Sequence, residues 1–291
     1  MSVGVLRRLL TAVAAGVTTS VARGVLDQQT PGGQARWTRT NHRGEPVSML
    51  EGPAVAAGLL SGLALGAPDA RGAAALWVAT GSAATFGIVD DLAEDTSARR
   101  KGLRGHLGAL AHGELTTGGL KVLGIGAGAL AAAALATPRK PGAGPVGRLV
   151  DVGTSGALIA LTANLINLLD LRPGRALKAV TLVAAPLALA PGDGAGAGAA
   201  IVGTAYSALD EDLAETDMLG DGGANALGAA LGTALVLSAP RPVRLAALVG
   251  AAALTVASEK VSFTRVIEST PVLRRIDAWG RRPVHVPSPP T

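Results

Sequence analysis

Four aspartates at the ends of apolar stretches are the residues of this sequence best suited to chemistry. Asp90 and Asp91 close the run Phe86-Gly87-Ile88-Val89. Adjacent carboxylates repel, so the pair is costly unless a cation, a proton or a basic group stands beside it; a solvated helix end is the plain alternative. Asn164, Asn167 and Asp170 recur at every third position of another apolar run. On a helix they share one face, and amides at that depth need partners across a bundle or in a polar cavity. Arg172-Pro173-Gly174-Arg175 follows directly, with two guanidinium groups suited to phosphate or to the ordinary positive charge of a cytoplasmic loop.

The fourth aspartate lies in Gly220-Asp221-Gly222-Gly223, a turn that opens a further apolar run. Glycines let a ligand approach the backbone and a helix N-terminus favours phosphate, although Asp221 also suits a helix cap. Asp210, Glu211, Asp212 and Glu215 before it read as a solvated acidic loop. A shared Mg²⁺-phosphate site explains the acids better than independent caps. Mg²⁺ takes one or two protein carboxylates, keeps waters and completes its shell with substrate phosphates.

The elements that must carry these groups are membrane helices. Of 291 residues 48% are hydrophobic, 16% charged and 2% aromatic, with 40 Gly. Mean hydropathy is +0.39. A soluble core would lack its bulky filling, whereas small residues suit helices packed closely in a bilayer. The absence of Cys removes disulfides, thiolate metal sites and cysteine nucleophiles. The net charge of +5 does not indicate nucleic acid, because aromatics for base stacking are scarce.

Runs long enough to span about 30 Å of hydrocarbon lie near 5–22, 52–68, 71–89, 118–137, 147–169, 175–191, 194–209, 222–239 and 242–259. The expected fold is an all-α, polytopic integral membrane bundle of about nine transmembrane helices. The long connections 23–51, 90–117, 170–174 and 210–221 and the tail from 260 fall on one side. That side carries 18 of the 26 Lys and Arg, which makes it cytoplasmic and puts the N-terminus outside. Arg7 and Arg8 disagree locally, favouring an inside N-terminus or a secretory signal peptide. The charge bias of the later loops does not depend on that first helix.

In this order and spacing the motifs resemble those of the polyprenyl-phosphate N-acetylhexosamine-1-phosphate transferases, from about Asn41 to Asn225. Asn41-His42-Arg43-Gly44-Glu45-Pro46 is similar to that family's first cytoplasmic loop, with the following Gly-Gly pair replaced around Glu51-Gly52. Gly87-Ile88-Val89-Asp90-Asp91 with Lys101-Gly102-Leu103 resembles its acidic loop. Asn164, Asn167 and Asp170 resemble its Asn-x-x-Asn-x-x-Asp pattern, and Gly220-Asp221-x-Gly223 its Gly-Asp-x-Gly turn.

The resemblance implies Mg²⁺-dependent attack of a polyprenyl phosphate on a UDP-N-acetyl sugar, releasing UMP in cell-envelope glycan synthesis. It implies Asp90, Asp91 and Asp221 as catalytic residues, with Asp91 and Asp221 on the metal and Asp90 deprotonating or orienting the lipid phosphate. Arg43, Lys101, Asn164, Asn167, Asp170, Arg172, Arg175, Gly220 and Gly223 would bind substrate. Residues 1–259 then form a transmembrane transferase-like domain in the plasma membrane, and 260–291 a basic amphipathic cytoplasmic tail.

The chain departs from the family pattern at Glu94, where a Lys is common, at Leu171-Arg172-Pro173 in place of Gly-x-Asp, and at Ala224 in place of Ser. The family's His-rich last loop and tenth helix have no counterpart after Lys260. His42, His106, His112 and His285 form no such cluster by local sequence, and solvent-facing His is the expected reading of His106 and His112. A non-catalytic relative that binds lipid phosphate or nucleotide and regulates envelope assembly through its tail is therefore the second reading. A transporter is the third, since buried polar residues and Gly-broken helices also occur there. The tail, with Phe263, Val266, Ile267, Val272, Leu273, Ile276 and Trp279 among its basic residues, suits an interfacial helix or a partner. Small-residue faces permit a homodimer.

Overall fold

A computed structural model describes residues 3–93, 117–139, 142 and 144–283. Among these, nine long helices stand over the nine expected segments. They are α1 (Val3–Gln28), α3 (Glu51–Gly66), α4 (Ala70–Ala93), α5 (Thr117–Ala136), α6 (Pro145–Leu169), α7 (Arg175–Leu189), α8 (Ala195–Leu213), α9 (Gly220–Ser238) and α10 (Arg241–Ser258). The single turn α2 (Gln34–Trp37) and the tail helices α11 (Phe263–Ser269) and α12 (Pro271–Ala278) complete the helical set. Five helices, α1, α4, α5, α6 and α10, are long and apolar enough to cross a membrane. Of the other four long helices, α3 and α7 have only 16 and 15 residues, α8 ends in Asp210, Glu211 and Asp212, and α9 opens with Asp221 and Asn225 among glycines.

The axis of the bundle is α9. Fifteen of its 19 residues are buried, as expected for a helix apolar on every face. Its glycines admit neighbours at backbone distance. A Cβ on Gly228 would stand 2.5 Å from the carbonyl oxygen of Thr162 on α6, and one on Gly52 of α3 would stand 2.6 Å from that of Leu219. Against this axis pack α3, α4 and α6, with α1 and α8 closing one side and α5 and α10 the other. The apolar face of α1, including Leu6, Leu10, Val13, Val17 and Val21, is left exposed and suits lipid.

Successive long helices run in opposite directions, so the ends of α1, α4, α6, α8 and α10 meet the starts of α3, α5, α7 and α9 at one end of the bundle. At the other end, arginines satisfy helix carbonyls that have no helical partner. Arg7 donates to Leu65 O at 3.0 Å and Arg8 to Ala188 O at 3.1 Å. Arg148 reaches Ala134 O and Thr137 O, both at 2.8 Å. Arg7 and Arg8 thus cap the ends of α3 and α7, a use that sequence order does not reveal.

The first polar connection contains a two-stranded antiparallel hairpin, β1 (Thr38–Thr40) and β2 (Pro46–Ser48), which an all-α reading omits. Asn41 Oδ1 builds its turn by accepting the backbone N–H groups of Arg43 and Glu45, each at 2.9 Å, and Gly44 takes a φ of +82°. Trp37, Met49 and Leu50 form a small core beneath it with Leu26, Ile88, Leu92 and Met218. The hairpin is thereby fixed over the ends of α1 and α4.

Candidate functional site

The carboxylates expected to act together meet at the end of the bundle that carries the hairpin. Asp90 comes from the last turn of α4 and Asp221 from the first turn of α9, and Lys121 of α5 stands between them. Lys121 Nζ lies 2.7 Å from Asp90 Oδ2 and also pairs with Asp221 Oδ2. These side chains are 17–27% exposed, so the ion pairs are partly shielded from solvent.

Asp91 plays a different part. Its Oδ1 accepts the N–H of Asp221 at 3.0 Å and its Oδ2 that of Gly222 at 2.8 Å, capping α9 from the neighbouring helix. Asp90 therefore shares a cation with Asp221, whereas Asp91 holds the turn in which Asp221 sits. The glycines have structural work of their own. Gly220 takes φ +62° and packs on the Asp91 carboxylate, and Gly223 lies against Gly52 and Leu219. They admit the protein's own neighbours rather than leaving an open cradle for a ligand.

Asn164, Asn167 and Asp170 do not face one cavity. The two asparagines line a groove of about 370 Å³ between α5, α6, α9 and α10, together with Lys121, Asn225 and an apolar wall that includes Val122, Ile125 and Leu161. Asp170 lines a second pocket of about 240 Å³ with Asn41, His42, Arg172, Asp212 and Glu215. Six residues advance a helix by about 240°, and Asp170 has already left the helix with ψ 39°, so it turns away from Asn164. Asn164 Nδ2 approaches Thr255 Oγ1 at 3.4 Å and Asn225 Nδ2 donates to Asp221 O at 2.8 Å. Burial pushes the Asp170 carboxyl well above its ordinary value and the charges of Asp212, Asp221 and Asp91 add to the effect, while the Gly220 N–H opposes it.

The acidic loop expected to be solvated is in part buried, a correction with a plain cause in its partners. Asp212 and Glu215 of that loop are each less than 5% exposed, as is Asp217 just after it. Asp212 Oδ2 accepts the Gly174 N–H at 3.0 Å; Glu215, at φ 61°, accepts from Asn41 at 3.0 Å and from Arg43 at 2.9 Å; and Arg23 grips Asp217 at 2.8–3.0 Å. The Gly174 backbone, Asn41 and Arg43 of the first loop and Arg23 of α1 supply these partners from far away in sequence.

Two arginines expected at substrate are engaged elsewhere. Arg175, 5% exposed, makes a forked pair with Asp277 of α12 at 2.7 and 3.1 Å and donates to Thr264 at 2.9 Å. Arg43 reaches past Glu215 to the carbonyls of Arg282 and Pro283 at 3.1 and 3.2 Å. The tail therefore lies across this end of the bundle, fastened also by Lys178 on Asp277 O at 2.9 Å and Arg281 on Pro173 O at 2.8 Å. Val272, Leu273, Ile276 and Trp279 stay exposed on it. Arg172 lines the second pocket without a hydrogen bond to its guanidinium among the described residues. Lys101, Glu94, His106, His112 and His285 lie outside the described residues.

Lys121 is the residue sequence reasoning undervalued. It reads as one more positive charge near the start of a helix, and only the packing of α5 beside α4 and α9 makes it the centre of the cluster. Among the described residues no three His, Cys, Asp or Glu side chains converge as a metal site. The oxygens of Asp90 and Asp221 are hard donors of the kind Mg²⁺ takes with water and phosphate, and it is the Lys121 ammonium that stands between them in this structure. A comparison with protein-family models finds no match to this chain, and a comparison with curated proteins finds none either.

Proposed function

We propose that this chain is a Mg²⁺-dependent transferase that moves a sugar-1-phosphate from a UDP-N-acetylhexosamine to a polyprenyl phosphate and releases UMP. The observation that carries the reading is Lys121, which lines the mainly apolar groove and also pairs with both Asp90 and Asp221. A prenyl chain fits the apolar wall, and its phosphate then meets an ammonium, three asparagine amides and the acidic pair. The nine helices are read as nine spans with this end cytoplasmic, on the strength of the 18 to 8 division of Lys and Arg.

Phosphoryl transfer depends on positioning and charge neutralisation more than on a strong nucleophile. Lys121 neutralises charge at the groove mouth, while Asn164, Asn167 and Asn225 orient phosphate oxygens. Asp90 orients the lipid phosphate through the Lys121 ammonium that it holds. Asp91 fixes the α9 turn and so the direction of Asp221. With Lys121 turned to the lipid phosphate, Asp90 and Asp221 would hold the metal, which would supply neutralisation of the diphosphate. Asp170, Arg172 and His42 line the second pocket, whose volume of about 240 Å³ is assigned to part of the nucleotide.

The test is UMP release by the purified full chain given Mg²⁺, UDP-N-acetyl sugars and polyprenyl phosphate, with Asp221→Asn as the control. UMP release that Asp221→Asn abolishes supports a transferase. No release under conditions where an authentic transferase is active overturns it. The second reading, a lipid- or nucleotide-binding regulator of envelope assembly, is favoured by the tail, which engages Arg175 and Arg43. It requires ligand binding without turnover.

A further inference from the structure

A separate cavity of about 80 Å³ lies between α1, α3 and α8, with Thr19, Arg23, Glu51, Ser207, Glu211 and Asp217 in its lining beside Ser20. Glu51 is 3% exposed, and neither of its carboxylate oxygens has a hydrogen-bond partner. An unpaired carboxylate buried in this way is expensive unless something positive reaches it. Its charged surroundings increase that cost, because Asp212, Asp217, Asp170 and Glu211 all act on it as like charges.

The donors around the cavity are already committed. Thr19 Oγ1 donates to Ala15 O at 2.8 Å, and Ser207 Oγ donates to Gly16 O at 2.9 Å. Ser20 and Ser207 hydroxyls lie 2.6 Å apart, so with the Ser207 proton on Gly16, Ser20 is the donor of that pair. Arg23 spends Nε and Nη2 on Asp217 at 2.8–3.0 Å and pairs through Nη1 with Asp27 at 3.4 Å. The hydroxyl protons are therefore all spent, and the remaining N–H groups of Arg23 make no hydrogen bond to Glu51, whose two oxygens stay without a partner. The volume holds a small cation with a few waters.

We infer that this cavity is a binding site for a monovalent metal cation of the sodium–potassium class, with the Glu51 carboxylate as its charged ligand and the Thr19 and Ser207 hydroxyl oxygens beside it. One buried, unpaired carboxylate with neutral hydroxyl oxygens matches a single positive charge. A divalent ion would bring a second positive charge that Glu51 alone does not balance, since Asp217 is taken by Arg23 and Glu211, which also lines the cavity, is exposed. The site lies apart from the Asp90, Lys121 and Asp221 cluster and does not depend on the transferase reading. Bound cation would tie α1, α3 and α8 together beneath the hairpin.

The test is thermal unfolding of the detergent-purified full chain in sodium, potassium or choline chloride at constant ionic strength and pH. Sodium or potassium should raise the midpoint saturably, by roughly 5 °C at a hundredfold excess over Kd, and choline should not. Glu51→Gln should abolish the rise, and Thr19→Val should shift its half-saturation to higher cation concentration. ²³Na line broadening that potassium displaces and Glu51→Gln removes would support the site directly. An identical midpoint in all three salts overturns the proposal, as does a full cation response in Glu51→Gln. If Glu51→Gln does not fold, an unaltered cation response in Thr19→Val overturns it instead. A midpoint that follows pH alone, with no cation effect, makes Glu51 a neutral acid and also overturns it.

Discussion

Asp91 on α4 caps α9 at Asp221: both of its carboxylate oxygens are taken by the N–H groups of Asp221 and Gly222, at 3.0 and 2.8 Å. Two elements more than a hundred residues apart in the chain are locked together at the point where the proposed chemistry occurs. The neighbouring Asp90 is left to share Lys121 with Asp221, so two adjacent aspartates do different work.

Asp91→Ala should therefore lower stability before it affects any metal. Removing a charged acceptor from two part-buried N–H groups costs about 2–4 kcal/mol. Denaturant unfolding in EDTA should show the loss undiminished. A variant that is destabilised only in Mg²⁺ would make Asp91 a metal ligand instead.

Lys121→Met should reduce UMP release by roughly a hundredfold or more, the scale of removing one preorganised charge from a phosphoryl-transfer site. Mg²⁺ binding should be retained or tightened, because Asp90 and Asp221 lose their resident cation. Turnover and Mg²⁺ titration on the same preparation distinguish this from general unfolding.

Asp170 carries a pH signature. Its folded carboxyl is raised by burial, then by Asp212, Asp221 and Asp91. Its contribution to stability is thus fully present below the unfolded carboxylate value and is lost as pH rises through the raised folded value. The unfolding midpoint should fall over that window, and Asp170→Asn should flatten the fall. If the carboxylate contacts a bound cation, Mg²⁺ should offset the same loss.

The tail should be held by Asp277. Burial raises its carboxyl, but the Arg175 guanidinium more than offsets this and leaves it below the ordinary carboxylate value. Its stabilisation is present above the unfolded value and lost as pH falls through the lower folded one. Asp277→Ala leaves Arg175 buried and unpaired, at a cost of about 3 kcal/mol. The Arg175→Ala, Asp277→Ala double variant should lose less than the sum of the singles. Proteolysis within 260–283 should be faster in Asp277→Ala.

The fold was legible where apolar runs had clear ends. Each of the nine expected segments is a helix, and alternation alone brought the acids to one end. The hairpin was not legible, because its strands are three residues long and its signal is the turn chemistry of Asn41 and Gly44. Within the site, the sequence picked out Asp90, Asp91 and Asp221 but not their division of labour. Spacing carries no information on which of two adjacent carboxylates faces α5 and which faces the α9 turn. Lys121 and the buried Asp212, Glu215 and Asp217 were missed for the same reason, since their partners come from elements distant in sequence.

The central claim is that Asp90, Lys121 and Asp221 form a phosphoryl-transfer centre at the mouth of a lipid groove. Its most direct test is UMP release from UDP-N-acetylglucosamine and related UDP-sugars by the purified chain with undecaprenyl phosphate, with and without Mg²⁺. The account predicts UMP that requires both Mg²⁺ and the lipid and disappears in Asp221→Asn. No UMP from well-folded protein that still binds both substrates would contradict it and leave a binding protein in its place.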